Sequence, residues 1–129
     1  MRKKLLTKIN LDNGLTLELY DQSKILAGDR WLVLVIASVN VDVKKEYFEG
    51  FDSDVPFNEI KASLGEKVTY SYEKSRHFID ESEKDEVLLS LKDNYLKSDL
   101  QYLSSPEFPQ KLILSKYRQA SLPGPRWAS

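Results

Sequence analysis

The sequence predicts an α+β domain: a mostly antiparallel four-stranded sheet, in the chain order β-β-β-α-β-α-α, with the C-terminal helices packed on one face. Three observations carry this. Every odd position from Trp31 to Val43 is apolar (Trp31, Val33, Val35, Ala37, Val39, Val41, Val43), the period of a strand with one buried face. A leucine-rich alternating stretch doubles back around Asp12-Asn13-Gly14. Beyond Asp80 the apolar spacing lengthens to that of a helix, through Leu88, Leu91 and Tyr95 with Val87 beside them.

Residues 3 to 11 and 15 to 21 make the first hairpin. A two-residue Asn-Gly turn would set Asn10 against Leu17 and Lys8 against Leu19, polar against apolar. A three-residue loop with Gly14 in the left-handed conformation pairs Leu11 with Leu15, Ile9 with Leu17 and Thr7 with Leu19 instead. Leu5, Ile9, Leu11, Leu15, Leu17 and Leu19 then share one face.

The stretch Ala27-Gly28-Asp29-Arg30-Trp31 reads as a turn into the third strand, because successive strand residues point to opposite faces and Arg30 and Trp31 cannot converge on one ligand. Trp31 belongs to the core face and Arg30 to the rim of the other. Along this strand the even positions change character: Leu32, Leu34 and Ile36 are apolar, Ser38, Asn40 and Asp42 polar. The first half is therefore expected to be covered on both faces, by helices or by another copy of the chain.

After an acidic, aromatic excursion from Lys44 to Val55, Pro56 to Leu64 reads as a short helix that turns Phe57, Ile60 and Leu64 to one side and stops at Gly65. Lys67 to Ile79 alternates as the fourth strand, with Val68, Tyr70 and Tyr72 facing one way. Asp80-Glu81-Ser82-Glu83 supplies an N-cap with carboxylates at the positive end of the next helix. Ser98 and Gln101 are candidate caps of a short continuation through Leu100 and Leu103, which Ser105-Pro106 ends. A last helix near Pro109 turns Leu112, Ile113 and Tyr117 inward. Residues 1–121 thus form one domain, and residues 122–129, "LPGPRWAS", a flexible or extended tail.

Composition narrows the chemistry. With 41% hydrophobic and 30% charged residues the chain is expected to be globular, and with 19 basic and 20 acidic side chains it has no overall field for a polyanion. Neither a nucleic-acid nor a membrane partner is expected. Zero Cys and a single His, His77, remove disulfides, thiolate nucleophiles and the familiar zinc sets, so no cofactor is expected and the balance leans away from an enzyme. The opening "MRKKLLTKINLDNG" lacks the apolar run of a signal peptide, so the expected location is cytoplasmic. Charge is segregated: residues 80 to 107 carry eight acids against three bases, whereas residues 108 to 129 carry Lys111, Lys116, Arg118 and Arg126 and no acid.

Three groups of side chains are candidate sites. Leu32, Leu34 and Ile36, with Trp127 in the tail, are the candidates for partner binding. Arg30, Arg76 and His77 could hold a small anion. Asp52, Asp54 and Glu59, near Asn58, offer metal-binding oxygens without the spacing of an EF-hand, and a solvated acidic loop is the preferred reading. Asp21-Gln22-Ser23 followed by Gly28 faintly resembles the Asp-x-Ser-x-x-Gly signature of the PilZ family, cyclic-dinucleotide binders built on a six-stranded barrel. The spacing is too long and no Arg-x-x-x-Arg precedes it, so the resemblance carries no function here. The leading expectation is a non-catalytic interaction or accessory protein that acts through protein contacts, with homodimerisation as one form. The alternative is a small anionic ligand binder, and a metal-dependent hydrolase ranks third.

Overall fold

The computed structural model describes residues 4–49 and 56–121. Among these residues are five strands and three α-helices: β1 (Lys4–Asn10), β2 (Thr16–Asp21), β3 (Lys24–Ala27), β4 (Arg30–Asp42), a 3-10 turn (Lys45–Phe48), α1 (Phe57–Leu64), β5 (Lys67–Asp80), α2 (Lys84–Ser104) and α3 (Phe108–Ser121). Every strand pairing is antiparallel. β4 is the spine. It pairs with β5 along one side, and along the other with β2 at Val35–Val39 and with β3 at Arg30–Leu32, while β1 lies outside β2. The α+β class and the C-terminal helices packed against the sheet are as the sequence predicts.

The hairpin register is also the predicted one: Ile9 pairs with Leu17 and Thr7 with Leu19, the Leu11 N–H donates to the Leu15 carbonyl (2.8 Å), and Gly14 sits at φ 89°. One residue departs from the expectation. A bulge between Leu5 and Thr7 pairs Leu5 with Tyr20, so Leu6 packs on the core and Leu5 is 48% exposed. An extra residue inverts the alternation, which is enough to exchange two neighbouring leucines between faces.

The fifth strand is an addition to the predicted four. Lys24–Ala27 extends the line of β2 after a break at Gln22-Ser23, where the Ser23 hydroxyl accepts the Leu34 N–H (3.0 Å) that a continuous ladder would have satisfied. Gly28-Asp29 closes the β3–β4 hairpin with positive φ at Gly28 (57°) alone, the pattern of a type II′ turn.

The core lies between the sheet and all three helices. Val33, Val35, Ala37, Val39, Val41 and Val43 are buried there with Leu17 and Leu19, against Ile60 of α1, Leu91, Tyr95 and Leu103 of α2, and Phe108, Leu112 and Ile113 of α3. α1 ends as predicted at Gly65, whose N–H reaches the Lys61 carbonyl at φ 80°. α2 differs at its start and in its middle. Asp80 is still paired with Arg30 in the sheet, and its carboxylate takes the Ser82 N–H and hydroxyl, so it shapes a turn and the helix begins a turn later, at Lys84. The helix then runs unbroken to Ser104. Ser98 does not cap a new segment; its hydroxyl donates to the Tyr95 carbonyl within the helix (3.1 Å). Ser105-Pro106 ends it, as expected.

An aromatic seam joins β5 to the helices. Tyr72 stacks on Tyr95 (5.6 Å between ring centres), Phe108 meets Tyr70 and Tyr102 edge-on, and the Tyr70 and Tyr95 hydroxyls share a hydrogen bond (3.0 Å). Burial, reinforced by the Tyr70 hydroxyl, pushes the Tyr95 phenol far above its ordinary value of 10.0; burial also raises Tyr70. A phenol that keeps its proton when folded and loses it when unfolded leaves stability intact below pH 10 and erodes it above. Urea unfolding from pH 8 to 11 should therefore show stability falling from about pH 10, by up to about 1.4 kcal/mol per pH unit for the proton that Tyr95 retains. Tyr95→Phe should flatten that slope.

Candidate interaction surface

Because every helix lies on the odd-numbered side of β4, the other side of the sheet has no second layer among the described residues. Its composition follows from the register. Leu32, Leu34 and Ile36 run down the centre and are half-buried, absent from the core cluster and shielded only by their lateral neighbours. Ile36 stands between Tyr20 and Glu73, Leu34 beside Ser75, and Leu32 beside Lys24. The expected cover over these three residues is therefore supplied by no described element of the chain. Toward the far end the same face turns polar: Ser38 lies between Glu18 and Ser71, and Asn40 accepts a hydrogen bond from the Thr69 hydroxyl (2.7 Å). A shallow depression of about 380 Å³, lined by Lys8, Glu18, Asn40, Asp42, Lys44 and Lys67, occupies that end. Partial burial and the hydrogen-bonded Glu18 carboxylate hold the Tyr20 phenol above its ordinary value.

Phe78 marks the apolar end. The register moves from Val33–Arg76 to Trp31–Ile79, so Leu32 faces two residues, His77 and Phe78, where a regular ladder has one. Phe78 takes φ 56° and leaves its side chain 71% exposed. A bulky residue in the left-handed region costs about 1–2 kcal/mol, so the fold bears strain to hold an aromatic ring in solvent. Phe78→Gly should accordingly unfold at higher urea than Phe78→Ala, by the equivalent of about 1 kcal/mol; equal midpoints would mean that the bulge is unstrained.

The anion candidates are divided between the two faces of the sheet. Arg30 pairs with Asp80 (3.2 Å) and Asp29 (3.8 Å), and Arg76 follows the register of the helix-side face, opposite Val33. His77 stands in the bulge opposite Leu32 and is exposed. Glu59 is exposed on α1, and Asp52, Asp54, Trp127 and the rest of the proposed tail lie outside the described residues. No cluster of three or more potential metal-binding side chains occurs among the described residues. Trp31 sits at the sheet end of α2, where the Lys84 ammonium lies 4.7 Å from its ring centre. Sequence reasoning singled out the stripe but not Leu5, Tyr20 or Phe78: two depend on bulges, and Tyr20 looks like one more polar position in an alternating strand.

Among the described residues, no helix is long and apolar enough to cross a membrane. Compared with known proteins, the chain matches no family model, no curated protein and no solved structure at a significant level.

Proposed function

We propose that this is a non-catalytic interaction protein whose working surface is the open face of its sheet. The observation that carries the reading is the stripe Leu32, Leu34 and Ile36, flanked by Leu5, Tyr20 and the strained Phe78, on a side of the sheet that no described element covers. Contiguous apolar surface of this kind is rare on a chain that works alone and common where one protein docks on another. The polar rim of Lys24, Glu73, Ser75 and Glu18 gives such a patch the apolar centre and hydrophilic border of a protein contact.

A photo-crosslinking side chain placed at Leu34 tests this in the organism's own cells, with the same side chain at Leu89, 54% exposed on α2, as the comparison. Cross-links to protein from position 34 that greatly exceed those from position 89 are the expected result. Equal yields from both positions would refute the reading.

A further inference from the structure

We infer that the occupant of this face is a second copy of the chain, packed sheet on sheet about a two-fold axis that crosses the strands at the level of Val35; the inference rests on the docking reading above. Charge placement is the argument. On the line formed by β2 and β3, Glu18 stands opposite Ser38 and Lys24 opposite Leu32, each three residues along β4 from Val35. A two-fold axis at that level leaves each strand line over its own copy and reverses its direction. Glu18 of one protomer then lies over Lys24 of its partner, and the symmetry makes the pair twice.

Most of the remaining positions agree with that axis; Ser38, which comes over the partner's Leu32, does not. Ile36 comes over the partner's Leu34, apolar on apolar, and Asn40 over the partner's Arg30. On β5, Glu73 comes over the partner's Ser75, Thr69 over the partner's Asp80, and Ser71 over the level of the partner's bulge. No like charges meet between the positions of β2, β3, β4 and β5 that overlap, those level with Arg30 to Asn40. By contrast, a two-fold axis parallel to the strands, midway across the sheet, exchanges its two margins and turns Glu73 toward the partner's Leu5, a charge against an apolar side chain.

The area is sufficient as well. The eleven positions from Arg30 to Asn40 that this axis lays over one another, at about 3.3 Å each, and the three strand lines that overlap (β2 with β3, β4 and β5), about 4.8 Å apart, give a footprint of about 520 Å² per protomer, just over the ~1,000 Å² in total that a specific interface needs. Two twisted sheets pack face to face about 10 Å apart with their strands turned by about 30°, a gap that Glu18 and Lys24 side chains bridge.

The test is sedimentation velocity on the full chain, from micromolar to near-millimolar concentration at low salt, for the wild type, Glu18→Lys, Lys24→Glu and the double variant. The wild type should be a dimer, each single reversal should weaken it by about tenfold or more because it sets like charges together twice, and the double reversal should restore it to within about threefold. A monomeric wild type overturns the inference, as do single reversals without effect or a double reversal that fails to rescue. If the wild type is monomeric while position 34 cross-links to a different protein, self-pairing falls and the docking reading stands. If position 34 also cross-links no better than position 89, both fall.

Discussion

Val35→Asp is expected to abolish cooperative folding at ambient temperature, whereas Leu34→Asp, its immediate neighbour, should leave the thermal transition of the dilute monomer nearly in place. Val35 is 2% exposed beneath the helices, paired with Asp21 on one side and Lys74 on the other in the centre of the sheet. A carboxylate there has no water and no buried counter-charge. The penalty of several kcal/mol compares with the ~5–15 kcal/mol by which a domain of this kind is stable at all. Leu34 points the other way, half-buried on the open face, and an aspartate there reaches solvent at a cost of about 1 kcal/mol in strand preference and lost lateral packing. Far-ultraviolet circular dichroism through a thermal ramp separates the two. Comparable loss in both variants at a concentration where the chain is monomeric would mean that the chain itself covers the second face.

The second large effect is expected at Asn13. Its side-chain amide donates to the carbonyls of Leu103 (2.7 Å) and Ser105 (2.9 Å), while its oxygen accepts the Leu15 N–H (3.1 Å). One turn residue thus satisfies the Leu103 carbonyl near the end of α2, gives the Ser105 carbonyl a second donor beside the Phe108 N–H, and ties the first hairpin to a segment ninety residues away. Asn13→Ala removes these bonds and should cost about 2–3 kcal/mol, at about 1 kcal/mol for each. Asn13→Asp should cost more, because it preserves the turn and the Leu15 contact but sets an anion against two carbonyl oxygens at the negative end of a helix. Chemical denaturation midpoints in the order wild type, Asn13→Ala, Asn13→Asp are the expected result; an aspartate as stable as the asparagine would exclude this role.

What could be read from the chain depended on whether a pattern had a competitor. The hairpin register was legible because the wrong turn put Lys8 and Asn10 against leucines, and β4 because its odd positions are unbroken over thirteen residues. The bulge at Leu5–Thr7 was not legible, since Leu5 and Leu6 are chemically alike and either satisfies the alternation. β3 was hidden because Lys24-Ile25-Leu26-Ala27 does not alternate and its approach is bridged by a serine hydroxyl rather than by backbone. The start of α2 was misplaced because an aspartate ending a strand and an aspartate capping a helix look the same in one dimension. The Asn13 contacts and the burial of Gln110, 2% exposed on α3, depend on tertiary placement that no local pattern encodes. Of the candidate surface, the stripe was visible as apolar even positions, whereas nothing in Arg76-His77-Phe78-Ile79 signals a positive φ.

β5 pairs with a neighbour along only one of its margins among the described residues, and it is fourteen residues long. A bare margin of that length would ordinarily template strand after strand, the route to insoluble fibres. Here Glu73, Lys74 and Arg76 line it and the widened step at His77 and Phe78 bends it out of register, so lateral growth is discouraged at the margin while the broad face stays free to engage. The pairing inferred above, a contact that saturates at two, is the kind of assembly that a margin guarded in this way permits.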